Sequence, residues 1–423
     1  MQEIKMRTPE FWLLYSQDPI LYFKILIMVA LFCVPLFRCF TKSILDPFFY
    51  ALVSAVFAYT VPVFLYLEGF CPEKHLYFFL ISEIVFWIVL LAYPMKDTTF
   101  NKKKIVGEEA YAKIVFKLAF IIYIASELYT YIYIGIPLFM DYRQELYAGT
   151  GSGFLGRFST FASSYVILYS YYQILGKKNK KYVAYFVFIV ITGLLSGSKG
   201  AILTFLTWYF IYEYFYIGKK PKVKMKYLLL VLCFPVVVLL LYKGSTSGNV
   251  GEAIGDFLFR FMANGDCYWM AYPYDNINFI HIKQPFVSLF SGFLAPLRFI
   301  SYDIVEPAIG NQLFWLVEPS EYGKIAGPNA RLAISGWCYF GWGGIVFAAL
   351  SGWLVAFCIY TSKKYFTRSI FGVFLYGLLF QAGVSYFTDP GLFFNNISSI
   401  IMNILLYGFV VILLTRLRTT KRV

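Results

Sequence analysis

The residues able to do chemistry gather in three stretches. The first is Ser196-Gly197-Ser198-Lys199-Gly200. A glycine-rich bend leading into a helix start offers free backbone N–H groups, and Lys199 adds a cation. Together they suit a phosphate or diphosphate. The competing reading is a tight turn whose lysine reaches for lipid headgroups. The second stretch is Gly135-Ile136-Pro137-Leu138-Phe139, followed by Asp141, Arg143, Glu145 and Arg157 among several glycines. Arg143 and Arg157 would hold a diphosphate through paired N–H groups. Local arginine–carboxylate pairs in a solvated loop are the alternative. The third stretch, about 243–336, carries Lys243, Arg260, Asp266, Asp275, His281, Lys283, Arg298, Asp303, Glu306, Glu318, Glu321, Lys324 and Arg331, with Asn329 and the aromatics Tyr268, Trp269, Tyr272, Tyr274 and Trp315. Aromatic faces stack on sugar rings, and carboxylates orient or deprotonate hydroxyls. Against that stands an interfacial aromatic belt, since 22% of the whole chain is aromatic.

Familiar catalytic signatures are missing. There is no GxSxG elbow, no P-loop spacing before Lys199, no HExxH and no EF-hand loop. No carboxylate pair has a spacing diagnostic of a glycosidase. Seven scattered cysteines without a CxxC and only two histidines, His75 and His281, give no expectation of a disulfide framework or a metal, and no cofactor is expected. The first twenty residues do not read as a cleavable signal peptide.

These residues must be positioned by membrane helices. The 423-residue chain is 60% hydrophobic and 14% charged, with mean hydropathy +0.65. That excludes a soluble enzyme, a disordered chain and a secreted disulfide scaffold. About eleven spans (ten to twelve) are expected, near 20–37, 46–66, 76–94, 114–134, 158–175, 182–196, 199–217, 227–242, 337–360, 369–386 and 397–414. Lysine and arginine clusters follow every second span: Arg38 and Lys42, Lys96 to Lys117, Lys177 to Lys181, Lys219 to Lys226, Lys363 to Arg368, and Arg416 to Arg422. This pattern accounts for the net charge of +14 as a topology signal, not as nucleic-acid binding. It predicts a cytoplasmic C-terminus and places all three polar stretches outside. The expected organisation is one integral membrane domain, 1–423. It has an outer loop at 135–157 and a large outer loop at 243–336, within which the apolar segment 286–300 reads as an interfacial or re-entrant helix. Glu83 and Glu127 lie inside spans. Each could relay protons or simply pair between helices, with Lys24 as a possible counter-charge.

In plan the chain resembles the bacterial Wzy-type polymerases of oligosaccharide repeat units. The similarity rests on many spans, basic inner loops and a large outer loop in the second half, with three local matches. These are Leu194-Leu195-Ser196-Gly197-Ser198-Lys199-Gly200-Ala201, Gly135-Ile136-Pro137-Leu138-Phe139 leading to Arg143, and Pro328-Asn329 through Tyr339-Phe340-Gly341-Trp342-Gly343-Gly344. It departs from the family where Lys199 replaces an arginine. It also departs in the spacing Arg-x10-Gly, because Phe154 follows Arg143 and Ala271 follows Arg260 at that distance. The His-Asn pair of the related O-antigen ligases is not found.

The resemblance implies an all-α fold like the GT-C membrane glycosyltransferases in the bacterial inner membrane, with its site on the periplasmic face. The implied activity is metal-independent. A growing glycan is transferred from undecaprenyl diphosphate onto a new lipid-linked repeat unit, building an O-antigen or capsule. Lys199, Arg143, Arg260 and Arg331 would stabilise the leaving diphosphate, with Arg157, Gly197, Ser198 and Asn329 near it and Tyr268 and Trp269 as sugar platforms. Asp266 would be the base, with Glu318, Glu321 and His281 as alternatives. Expected partners are the lipid-linked oligosaccharide, membrane lipids, and a chain-length regulator and flippase of the same pathway, but no nucleic acid. The rival classes are a lipid-linked-oligosaccharide flippase or transporter, in which Glu83 and Glu127 would couple, and an O-antigen ligase.

Overall fold

The computed structural model describes residues 6–92, 98–101, 107–139, 153–196, 201–221, 259–280 and 282–420, with side chains described from 155 and up to 408 in the helices that begin at 153 and 390. Among the described residues the secondary structure is helical, with no strand. We number the longer helices α1 (Thr8–Gln17), α2 (Pro19–Phe40), α3 (Pro47–Leu67), α4 (Glu73–Ala92), α5 (Glu108–Tyr129), α6 (Gly153–Tyr171), α7 (Tyr182–Leu195), α8 (Ala201–Phe210), α9 (Asp266–Ala271), α10 (Pro285–Leu294), α11 (Ile309–Val317), α12 (Leu332–Phe340), α13 (Gly344–Ala356), α14 (Ile370–Ser385) and α15 (Pro390–Thr420).

Three helices open on the same dipeptide. Asp18-Pro19, Asp46-Pro47 and Asp389-Pro390 each put an aspartate before a proline at the first helical position. The Asp18 carboxylate accepts from Leu21 N (2.9 Å), Asp46 from Phe48 N (3.0 Å) and Asp389 from Gly391 N (2.7 Å). The aspartate satisfies one of the orphan N–H groups, and proline forfeits an N–H that would have had no partner.

Among the described residues, six helical segments are long and apolar enough to cross a membrane: Pro19–Phe40, Pro47–Leu67, Glu73–Ala92, Glu108–Phe139, Leu332–Tyr365 and Pro390–Gly408. α2 shows what they face. Its mean hydropathy is 2.5, yet only 22% of its apolar window is buried by protein, and Phe32 is 75% exposed. Such a surface belongs in lipid. The chain is therefore a helical membrane protein. Three further apolar helices, α7, α10 and α14, are shorter. Ten of the expected spans coincide with helices, and the one near 227–242 lies outside the described residues. The segment near 337–360 is two helices, α12 and α13, parted where Gly341 takes φ +54°. α10 has ten residues, about 15 Å, half a bilayer thickness.

The chain forms two compact units. The first comprises Met1–Thr98, Ile254–Thr361 and Phe380–Asn396. Its core joins α1, α2, α3, α4, α9 and α12 through Phe11, Tyr22, Phe64, Phe79, Tyr268, Trp269 and Ile334. Phe11 stacks on Trp269 with centroids 4.2 Å apart, so α1 is a separate packed helix and not an extension of α2. α13 lies close against α4, because Gly352 has no Cβ: one there would sit 2.7 Å from the Phe86 carbonyl oxygen. The second unit comprises Thr99–Ala253, Ser362–Leu379 and Ile397–Val423. Here α5, α6 and α7 pack through aromatic rings, with Phe120 edge-on to Tyr185 at 4.7 Å and Phe116 tilted against Tyr169 at 4.8 Å. Tyr123 Oη and Thr192 Oγ1 share a hydrogen bond of 2.5 Å.

Candidate functional site

The most concentrated polar feature of the first unit is built on Arg331, the residue just before α12. It is 3% exposed. Its Nε donates to the carbonyl of Asn264 (2.7 Å) and Nη1 to the carbonyl of Phe387 (2.8 Å). Nη2 donates to Ser54 Oγ (2.7 Å) and to the Ser54 carbonyl (3.4 Å). Ser54 Oγ in turn donates to Asn264 Oδ1 (2.6 Å). One guanidinium thus ties α3, the turn before α9 and the connection between α14 and α15. Four of its five N–H groups are engaged by these contacts, and none of them is to a carboxylate.

Three acids surround this cation at electrostatic range: Asp266, Glu83 and Asp389. Burial pushes the Asp266 carboxyl up to about 7, even though Cys267 N donates to it (2.9 Å) and Arg331 attracts it. Burial pushes Asp389 up to about 6, opposed by backbone N–H groups of Gly391, Leu392 and Ala330 and then by Arg331. Glu83, nearly three turns into α4, accepts from Tyr59 Oη (2.5 Å). A void of about 10 Å³ lies between Tyr59, Glu83, Arg331 and Tyr386. That is room for about one water. This void is too small for a sugar in this conformation, whereas Asp266, which does not line it, keeps part of its surface exposed.

A second constellation caps the same helix. His75, in the first turn of α4, is 1% exposed. Its Nε2 lies 2.7 Å from Asp275 Oδ1, and Lys74 Nζ lies 2.9 Å from Asp275 Oδ2. The carboxylate can only accept, so Nε2 carries the proton. Burial works against the charge on Asp275, but the hydrogen bonds from Lys74 and His75 outweigh it and hold its pKa below the usual carboxylate range. The His75 ring lies parallel to Tyr272 at 5.4 Å and edge-on to Trp337 at 4.9 Å. Tyr274 and Asp275 both adopt φ +56°, a conformation that costs a non-glycine residue about 1 kcal/mol or more. Sequence reading missed this pair. The two residues are 200 positions apart, and the only local hint is a lysine–histidine pair opening an apolar run.

The expected site residues divide. Asp266, Tyr268, Trp269, Arg260, Arg331 and Asn329 belong to the first unit, and Asp266 and Arg331 are brought together in the cluster above. Arg260 and Asn329 are exposed. Tyr268 and Trp269 are fully enclosed: Phe79 meets Tyr268 edge-on and Phe11 covers Trp269, so in this structure their faces are not open to a sugar. Glu318 lies 3.8 Å from Arg7, and Glu321 pairs with Lys324 at 2.5 Å. Arg157 belongs to the second unit, where its Nη1 lies 3.7 Å from Met402 Sδ. Arg143, Gly197, Ser198, Lys199 and His281 lie outside the described residues. Of the two intramembrane acids, Glu127 accepts from Ser159 Oγ (3.0 Å). Lys24 forms no ion pair with either among the described residues.

No protein-family model, curated protein or solved structure matches this chain.

Proposed function

We propose that the chain is a membrane glycosyltransferase that polymerises lipid-diphosphate-linked oligosaccharide repeat units. The observation that carries this reading is a carboxyl, Asp266, poised near neutral pH beside a buried arginine in a helical membrane protein. A general base works best when its pKa lies near the operating pH. In the proposed step an acceptor hydroxyl oxygen attacks the anomeric carbon of the donor glycan. The bond from that carbon to the diphosphate oxygen breaks, and the lipid diphosphate leaves with the electron pair. The hydroxyl proton passes to Asp266. Arg331 positions the network and lowers the cost of ionising Asp266, and it keeps too few free donors to clamp a diphosphate itself. Arg260, six residues before Asp266, supplies a cation for the leaving group; Arg143 and Lys199 are the candidates that the sequence alone offers for that role. The reaction runs at the outer face of a bacterial inner membrane, with neither nucleotide sugar nor ATP.

A second reading has its own support. Glu83 with Tyr59 and Glu127 with Ser159 place protonatable pairs inside membrane spans, as a proton-coupled flippase would need. One experiment separates the two. Purified protein is given a synthetic lipid-diphosphate repeat unit, and glycans are followed by gel and mass spectrometry. A ladder that Asp266→Asn and Lys199→Ala abolish supports polymerisation. Absence of elongation in protein that binds the substrate, together with loss of lipid translocation in Glu83→Gln, moves the assignment to transport.

A further inference from the structure

The second unit contains a cavity of about 540 Å³ that the proposed reaction does not use. It lies where helix ends meet. Phe100 and Asn101 precede α5, Glu108 is the first residue of α5, Phe215 and Gly218 end the helical run that continues α8, and Lys363 and Arg368 lie in the turn before α14. Two cations and one acid leave one net positive charge. The Lys363 ammonium sits 5.4 Å from the ring centre of Phe100 and 5.6 Å from that of Phe215, which orients it over two aromatic faces. Arg368 Nε donates to the Tyr216 carbonyl (3.0 Å), fixing one edge of the guanidinium. Gly218, at φ +84°, admits this arrangement, because a Cβ there would collide with Arg368 Nη2. The Glu108 carboxylate is committed elsewhere: it accepts from Ile370 N (2.9 Å) and caps α14. The start of α14 is thus satisfied by protein, and the cavity's own attraction for an anion comes from the two side chains.

We propose that this cavity binds the phosphodiester headgroup of an anionic phospholipid, with Arg368 and Lys363 on the phosphate oxygens and Phe100 and Phe215 against the glycerol carbons. A planar guanidinium matches phosphate oxygens in pairs. The volume lies within the range of small-molecule sites. One net positive charge suits a monoanionic diester. Basic pockets between helix ends at a membrane boundary recognise headgroups in this way. The positive-inside expectation puts these basic loops on the cytoplasmic side, and the proposal accordingly takes its lipid from the inner leaflet.

The test is native mass spectrometry of the purified full chain with equal amounts of phosphatidylglycerol and phosphatidylcholine. Phosphatidylglycerol is retained preferentially, and each of Arg368→Gln and Lys363→Gln lowers that preference about five-fold. Lys363→Arg keeps it, which separates loss of charge from loss of fold. Equal retention of the two lipids by the wild-type protein overturns the proposal. So does a preference that both glutamine variants leave intact. Release of the lipid by millimolar inorganic phosphate, with phosphate bound in its place, would make the site one for free phosphate and refute the lipid assignment.

Discussion

Replacing Asp266 with asparagine should make the protein more stable at alkaline pH while abolishing the proposed chemistry. The folded protein holds the Asp266 proton up to about pH 7, whereas a free aspartyl group loses it near 3.8. Between those values the native state binds more protons than the unfolded one, so stability falls as pH rises from about 4 to about 7 and is level beyond. Three pKa units correspond to about 4 kcal/mol. Asp266 is only partly covered at its surface although it lies deep among protein atoms, so solvent recovers part of this cost. About 2 kcal/mol is the expected size. Asp389 and other carboxyls titrate in the same direction, so the informative quantity is the difference between wild type and Asp266→Asn. Thermal unfolding in detergent at a fixed scan rate, at pH 5 and pH 8, reads it. The variant should gain several degrees over wild type on going from pH 5 to pH 8. Glycan transfer by the wild type should move the opposite way, rising through pH 7 as the base ionises. A melting difference between the two proteins that does not change with pH would refute the buried, proton-retaining carboxyl and with it the assignment of the base.

The other predictions concern Arg331, Asp275 and Gly218. Arg331→Ala removes four hydrogen bonds to α3, the turn before α9 and the α14–α15 connection, leaving their carbonyls buried, and should cost about 3–5 kcal/mol. Size-exclusion chromatography and melting in detergent would show this, and wild-type behaviour of the variant would remove Arg331 from its structural role. Asp275→Asn should weaken the hold on Lys74 and His75 and reduce acid sensitivity. The lowered Asp275 pKa contributes stability above the unfolded value that is lost as pH falls through the folded one. A melting profile between pH 5 and pH 2 that matches wild type would contradict it. Gly218→Ala should destabilise by about 1–2 kcal/mol, from the left-handed backbone and the collision with Arg368, measurable as a lowered melting temperature; an unchanged value would show that the Arg368 side chain moves aside freely.

That this is a helical membrane protein was legible from the amino-acid sequence alone. Long apolar runs such as Pro19–Phe40 need no partner to declare themselves, because lipid solvates their side chains and the helix satisfies its own backbone. Three helix starts are also written locally, since an Asp-Pro step carries both the cap and the dispensable N–H within two residues, yet the expected last span began near 397 and missed the start at Pro390. Asp266 and Arg331 were visible as ionisable residues in an apolar chain, where such groups are costly enough to attract notice. What they contact was not visible. Arg331 meets Ser54, Asn264 and Phe387, and His75 meets Asp275, across separations of 56 to 277 residues that no local pattern encodes. Tyr268 and Trp269 look the same in sequence whether they face a sugar or a protein core. Only packing against Phe79 and Phe11 decided that they are enclosed. The tertiary structure likewise raised the Asp266 carboxyl, because desolvation depends on the atoms gathered around a carboxyl and not on its neighbours in the chain.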